Sequence, residues 1–199
     1  MPPPSSGGLH LIQMLNILEN FDLKSMKHNS PSYVLLLNEV MKYAYADRSQ
    51  YLGDPDYVDV PVNKLISKGY AESISKKITI DSVTQSDDIK AGMYIDLESD
   101  ETTHFSIADK FGNLVSTTYT LNSSFGSKVV IAKTGILMNN EMDDFSSAPG
   151  VPNQFGLLGE KFNEIQPSKR PLSSMTPTIV FKNNNPFLIM GSPGGSRII

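Results

Sequence analysis

The segment TTHFSIADKFGNLVSTTYTLNSSFGS, residues 102–127, decides the fold class of this chain. Phe105 and Ile107 alternate with polar neighbours, a turn around Gly112 follows, and residues 114–121 return with β-branched and aromatic side chains. Period-two alternation on both sides of a glycine turn predicts a β-hairpin. The first strand of this hairpin looks buried.

Upstream of the hairpin the pattern is helical. Leu11, Leu15 and Leu18 fall on one face of a first helix, with Ile12 and Met14 beside them. This spacing predicts that the leucine face packs against the rest of the protein.

Two further helices are predicted before residue 80. Ser30 as N-cap and Pro31 at the first helical position begin a helix that runs toward Asp47. A shorter helix is predicted over residues 69–78. Residues 81–101 are polar and rich in Ser and Asp, which is typical of an exposed loop. A loop of about twenty residues is long for a compact domain unless the loop itself has a function.

Further strands are predicted over residues 135–138, 177–181 and 186–191. Helices that precede strands are typical of an α+β fold, with the change at about residue 102.

Composition excludes several classes of function. The 199 residues carry a net charge of −4 and 39% apolar residues, as expected of a globular protein rather than a nucleic-acid binder. The chain has no cysteine, which excludes disulfides and zinc–thiolate sites. His10, His28 and His104 lack the paired spacing of a metal site, so no metal is expected.

Neither end of the chain has the pattern of a natural terminus. Residues 1–18 lack the positive segment of a signal peptide, and Pro2, Pro3 and Pro4 disfavour a helix there. The last nine residues stop just after a glycine turn, where a helix is expected to begin. We therefore expect a piece cut from a longer protein.

Thr102 is a candidate nucleophile. A threonine hydroxyl needs a neighbouring base, and cleavage before a threonine supplies one as the freed α-amino group. Glu101 and Thr102 stand at the end of the polar loop, where a cut is sterically feasible. From residue types alone, two threonines before a strand are more often ordinary β-branched strand residues.

Seven segments in series cover nearly the whole chain: MPPPSSGG (1–8), KYAYADRSQYLGDP (42–55), the hairpin segment (102–127), GILMNNEMDDFS (135–146), PGVPNQFGLLG (149–159), KRPLSSMTPTIVFK (169–182) and GSPGGSRII (191–199). In this order they resemble signature blocks of the γ-glutamyltransferase (glutathione hydrolase) family.

The resemblance implies an N-terminal-nucleophile hydrolase fold, a four-layered αββα sandwich, in a precursor that cuts itself into two subunits. Residues 1–101 would be the end of the large subunit, mainly helical, and residues 102–199 the start of the small catalytic subunit, mainly strands. It implies that the chain is internal to the precursor, with a carboxylate-binding arginine upstream of it.

The resemblance also implies the roles of the reacting groups. Thr102 would attack the Glu101 carbonyl during processing and would then accept the γ-glutamyl group. Thr120 would orient the Thr102 hydroxyl. Gly194 and Gly195 would form the oxyanion hole through their N–H groups. From the residues alone these glycines fit a tight turn, and a phosphate loop fits poorly because no lysine follows them.

The glutamyl end of the substrate is a zwitterion, so its site needs acceptors for the ammonium and donors for the carboxylate. By resemblance, Asn122, Glu141 and Asp144 would bind the ammonium, while Ser173 and Ser174 would donate to the α-carboxylate.

Two segments depart from the family pattern. Phe155 stands where members with a lid often have tyrosine, which puts gating by a lid in doubt. Residues 159–171 replace a stretch that is rich in Gly, Asp and Asn in many relatives, so a different loop shape is expected.

The implied function is transfer of a γ-glutamyl group from glutathione or other γ-glutamyl compounds to water, amino acids or short peptides. No cofactor and no nucleic-acid partner are implied, and the family location is periplasmic or extracellular. Two alternatives stay open: a silent product of a truncated or split gene, and a non-enzymatic binding protein for γ-glutamyl amino acids. The 199 residues alone are not expected to be active.

Overall fold

The computed structural model describes residues 1–89, 102–148, 150–151, 153 and 159–199. Glu101, the predicted cleavage residue, and Phe155, which stands where members with a lid often have tyrosine, lie outside this part of the chain. The α-helices of the described part come first: α1 Gly7–Leu18, α2 Pro31–Tyr51, α3 Val62–Leu65 and α4 Lys68–Ser75. The strands follow: β1 Thr103–Ala108, β2 Leu114–Tyr119, β3 Thr178–Lys182 and β4 Asn185–Met190. The predicted α+β class is confirmed.

Helix α2 begins as its sequence predicts. The Ser30 hydroxyl accepts a hydrogen bond from the backbone N–H of Tyr33, and Pro31 occupies the first turn. This cap satisfies an N–H that would otherwise lack a partner. The helix continues past Asp47 to Tyr51. No helix in the described ranges is both long and apolar enough to cross a membrane.

The predicted packing face of α1 is confirmed only in part, since Met14 is buried and Leu18 packs against the core. Ile12 and Leu15 are about half exposed, whereas the buried residues include His10, Gln13 and Ile17. The buried face carries polar groups because α1 packs against polar residues of α2 and α4, which hydrophobic periodicity does not reveal.

Two apolar clusters form the core. The larger joins α1, α2 and α4, and its buried members are Met14, Ile17, Leu36, Val40, Ala44, Ala71, Ile74 and Ile78. The smaller joins Leu9, Leu52, Leu65 and Leu172. Leu172 directly precedes the two predicted carboxylate-binding serines, so the helical part supports that segment.

Strands β1 and β2 form the predicted antiparallel hairpin. Thr103 pairs with Tyr119 and His104 with Thr118. One face of the hairpin is polar and the other is apolar. The sequence predicts a buried first strand, and this prediction is wrong because the apolar face is exposed. Its residues Phe105, Ile107, Val115 and Tyr119 are each more than 40% exposed. Nothing in the described ranges covers this face.

The second pair of strands, β3 and β4, is also antiparallel, with a bulge between Val180 and Phe181. The predicted strand at 135–138 is wrong, because only the isolated bridge between Val130 and Leu137 forms there. The backbone turns just before this stretch, where Lys133 and Gly135 have positive φ angles of 66° and 74°, and after the turn Ile136 and Met138 form backbone hydrogen bonds with Ile131 and Val129 without a regular strand.

A buried polar network crosses the interface between α1, α2 and α4. His10 Nδ1 lies 2.9 Å from Gln13 Oε1, and Gln13 Nε2 donates to Asp47 at 2.5 Å. The Tyr70 hydroxyl donates to the same carboxylate at 2.9 Å. His10 Nε2 has no hydrogen-bond partner among the described residues. Burial lowers the pKa of His10 to about 4.

We expect the buried His10 to make the protein acid-sensitive. A histidine that is neutral when folded but titrates near 6.5 when unfolded contributes stability that is lost as the pH falls from 6.5 to 4. The loss is about 3 kcal/mol at most. When thermal unfolding is measured from pH 7.5 to 4, the unfolding midpoint should fall less steeply in the His10→Gln variant than in the wild type. The variant's stability at neutral pH will nevertheless be lower. Substituting the exposed His28 in the same way should leave the slope unchanged; equal slopes in all three proteins would contradict the prediction.

Candidate functional site

Thr102 and Thr120 meet at the open end of the β1–β2 hairpin. Extending the register one residue beyond Thr103 and Tyr119 places Thr102 opposite Thr120. The Thr102 hydroxyl lies 3.4 Å from the Thr120 hydroxyl and donates to it. The structure therefore brings the predicted nucleophile and its predicted orienting hydroxyl together. Their roles remain predictions.

Asn122 is buried and has a positive φ of 77°, a conformation that asparagine tolerates better than most residues. Its backbone N–H donates to the Thr120 hydroxyl at 2.9 Å. Its side-chain amide donates to the carbonyl of Asn140 at 3.1 Å. Asn122 thus connects the end of β2 to the segment that carries Glu141 and Asp144.

Glu141 and Asp144 lie on one short 3₁₀ turn, Glu141–Asp144, and their carboxyl groups interact with each other. Burial raises the pKa of Glu141 and raises that of Asp144 to about 7. The negative charge of Glu141 adds to the shift at Asp144, while the charge of Arg48 opposes it. Two adjacent carboxyl groups with raised pKa values do not readily lose both protons, because their negative charges repel. A nearby cation relieves this repulsion, so the pair is suited to binding one.

Arg48 on α2 is a residue of this site that we had not singled out from the sequence. It is buried, and its Nε donates to the Ser6 hydroxyl at 3.1 Å. Its Nη2 donates to the Ser174 hydroxyl at 3.0 Å. A buried guanidinium requires hydrogen-bond partners. The sequence signal that could have identified Arg48 is therefore an arginine on the inner face of a helix, within one of the seven segments.

Ser173 and Ser174 lie in a segment that is held to the N-terminal residues by a parallel β-bridge between Ser5 and Ser173. The Ser173 hydroxyl accepts a hydrogen bond from the N–H of Met175 at 3.1 Å, and the Ser174 hydroxyl accepts from Arg48. The Ser173 carbonyl accepts from both the backbone and the hydroxyl of Ser6. Since both serine hydroxyls accept, each O–H can point at a ligand.

An ion pair fixes the chain before these serines. Asp54 is fully buried and accepts from Arg170 Nε at 2.9 Å, Nη2 at 2.5 Å and backbone N–H at 2.8 Å. The guanidinium holds the pKa of Asp54 far below its usual range. The bidentate geometry sets the direction in which the chain enters Ser173 and Ser174.

Asn163 links the acidic turn to the serine segment. Its side-chain amide donates to the Asp144 carbonyl at 2.8 Å and its side-chain oxygen accepts from the Leu172 N–H at 3.0 Å. It lies in residues 159–171, the stretch expected to differ in shape from relatives. Sequence reasoning gave it no role because nothing in its neighbours marks it as buried.

Gly194 and Gly195 have positive φ angles of 128° and 56°, which favour glycine. Gly195 begins the 3₁₀ turn Gly195–Ile198, and Ile199, just after it, packs against the larger apolar cluster. The turn is therefore supported by packing at its far side. The oxyanion role of the two glycines stays a prediction.

Comparison with known proteins identifies relatives along the full chain. A family model described as gamma-glutamyltranspeptidase matches residues 1–199. The glutathione hydrolase proenzyme of Escherichia coli K12 is 55% identical over 199 residues, which are 100% of this chain and 34% of that protein. The corresponding proenzyme of Bacillus subtilis 168 is 42% identical, again covering 100% of this chain and 34% of that protein.

A solved structure supports the fold. The cephalosporin acylase of Bacillus halodurans superimposes with a TM-score of 0.71 at 27% identity, covering 96% of this chain and 31% of that one. This chain thus spans about a third of the length of the proteins it matches.

We predict that the Asp54–Arg170 pair stabilises the serine segment. Asp54→Asn removes the buried charge while keeping the shape, and should lower the free energy of unfolding by about 1–3 kcal/mol at pH 7. Asp56, which is largely exposed and also binds Arg170, is the matched control. Asp56→Asn should cost less than about 1 kcal/mol. Denaturant unfolding measures both, and equal effects would contradict the prediction.

Proposed function

This chain belongs to the gamma-glutamyltranspeptidase family, and we propose that the protein containing it transfers γ-glutamyl groups from glutathione or related γ-glutamyl amides. Thr102 is the nucleophile, and water, amino acids or short peptides are the acceptors. Attack by the Thr102 hydroxyl on the γ-carbonyl releases the amine and leaves a γ-glutamyl ester, which the acceptor then cleaves. The reaction requires no cofactor and no nucleic acid.

The observation that carries this proposal is the hydroxyl pair of Thr102 and Thr120, joined through Asn122 to the acidic turn. A threonine hydroxyl has a high pKa, so it needs a proton acceptor and a fixed rotamer. Thr120 supplies the second hydroxyl 3.4 Å away. The freed amino group of Thr102, once Glu101 is cut away, supplies the base.

The charges around this pair support recognition of an amino acid head group. The carboxyl pair of Glu141 and Asp144 suits an ammonium, while the hydroxyls of Ser173 and Ser174 suit a carboxylate. Arg48 donates to Ser174 and its charge acts on Asp144, so one guanidinium acts on both the proposed carboxylate-binding group and the proposed ammonium-binding group.

The larger architecture follows from the same family membership. We propose that residues 1–101 end the large subunit and residues 102–199 begin the small one, within a four-layered αββα sandwich. The mature protein would act in the periplasm or outside the cell. The proenzyme names of the relatives and the order of helices before strands support this division.

We predict that Thr102→Ala in the full-length protein abolishes both cutting and turnover, because one hydroxyl performs both reactions. Intact-mass analysis should show a wild-type fragment that begins at Thr102 and an uncut variant. Thr103→Ala removes the neighbouring hydroxyl and should still be cut. A small subunit that starts elsewhere, or efficient cutting of the Thr102 variant, would contradict the mechanism.

We predict that Asp144→Asn weakens substrate binding more than processing, because the ammonium it meets is present only on the substrate. Loss of a charge-assisted contact should reduce kcat/KM by roughly ten- to a hundredfold. In the wild type, kcat/KM should fall below pH 7 as Asp144 takes up a proton, since its pKa is about 7. The variant should lack this acid limb.

Asp143 provides the matched control for this experiment. It is exposed and accepts a hydrogen bond from Asn140, yet it neighbours Asp144. Asp143→Asn should keep both the specificity constant and the acid limb. A wild-type-like pH profile in the Asp144 variant would remove the ammonium-binding assignment.

A further inference from the structure

We propose that His104 is a positioning residue that fixes the glycine turn, residues 191–195, relative to Thr102. This inference rests on the proposed function, because it gives the turn a task in the reaction. Its physical basis is a contact between the His104 ring and Gly191.

The ring of His104 is held in one orientation. Its Nδ1 lies 2.9 Å from the Thr118 hydroxyl and its Nε2 lies 3.1 Å from the Ser106 hydroxyl. A hydroxyl donates or accepts as required, so both ring nitrogens have a hydrogen-bond partner in either tautomer. Since side chains alternate along a strand, His104 lies on the same face of the hairpin as Thr102.

Gly191 lies directly against this ring. A Cβ atom added at Gly191 would overlap Cε1 and Nδ1 of His104 and would lie 2.8 Å from Nε2. Unlike Gly194, Gly191 does not need glycine for its φ angle. Glycine is required here because the ring occupies the space of a side chain.

A second contact holds the adjacent residue to the same face. The Ser116 hydroxyl, on β2, donates to the carbonyl of Met190 at 3.1 Å. The chain that leads into the glycine turn is thus fixed at two successive residues by the strand pair that carries Thr102. Gly194 and Gly195 follow within four residues.

This arrangement predicts which step of the reaction depends on His104. Backbone donors of an oxyanion hole act on charge that develops in the transition state, and a displacement of about 1 Å can cost on the order of a hundredfold in rate. Disturbing the contact should therefore lower kcat and leave KM nearly unchanged. A residue that only supported the pocket for the amino acid head group would raise KM instead.

The test is a double-mutant cycle in the full-length protein. Gly191→Ala introduces a methyl group that collides with the ring and should lower kcat by about a hundredfold. His104→Ala loosens the turn and should lower kcat by about tenfold. The double variant should be at least about tenfold more active than the product of the two losses, because removing the ring makes room for the methyl group.

Three details make the cycle specific. Turnover of a chromogenic γ-glutamyl anilide is expressed per processed chain, counted by intact mass. Gly69→Ala, at an exposed position of α4 with open space at the Cβ position, and His28→Ala, at an exposed site, are the controls and should be neutral. The shifts in the thermal unfolding midpoint of the two single variants and the double variant, each relative to the wild type, should be non-additive in the same direction as kcat.

The outcomes separate the two proposals. Suppose that the wild type is active, that the two losses in kcat multiply in the double variant and that the shifts in the unfolding midpoint add. This result would overturn the role of His104 and leave the proposed function in place. A rise in KM at constant kcat would also overturn it. A wild type that neither cuts itself nor releases product would overturn the proposed function and this inference together.

Discussion

A single buried guanidinium, that of Arg48, joins the parts of this structure. A charge removed from water is tolerated only where it is hydrogen-bonded and balanced. Arg48 meets this requirement with the hydroxyls of Ser6 and Ser174 and with the charge of Asp144. The helix α2, the N-terminal turn, the serine segment and the acidic turn are thereby constrained to one place.

The remaining site contacts follow the same rule, since each polar group is fixed by another polar group from a distant part of the chain. Asp54 orients Arg170, Asn163 connects the acidic turn to Leu172, and Asn122 connects the hairpin to Asn140. Most of these contacts are to backbone groups or are charge-assisted, which gives defined geometry with short side chains. Ser173 and Ser174 are held in this way, and because both hydroxyls accept hydrogen bonds, each keeps a proton to donate.

Local signals in the sequence predicted local structure well. The N-cap at Ser30, the glycine turn at Gly112 and the order of helices before strands depend on neighbouring residues, and all appear in the structure. Predictions failed where distant parts of the chain decide the outcome. The buried face of α1 includes polar residues because Gln13 binds Asp47. The strand predicted at 135–138 failed for a local reason, since the backbone turns at Lys133 and Gly135, whose φ angles are positive.

The sequence by itself determined the family, the α+β class and the identity of the candidate reacting groups, because these depend on residue types in a fixed order along the chain. Only the tertiary structure revealed Arg48, Asp54 and Asn163 as the groups that hold the site, and His104 as the neighbour of Gly191. Arg48 and Ser174 are 126 residues apart along the chain, Asp54 and Arg170 are 116 apart, and His104 and Gly191 are 87 apart. Burial and hydrogen-bond geometry arise from folding, and no local pattern encodes them.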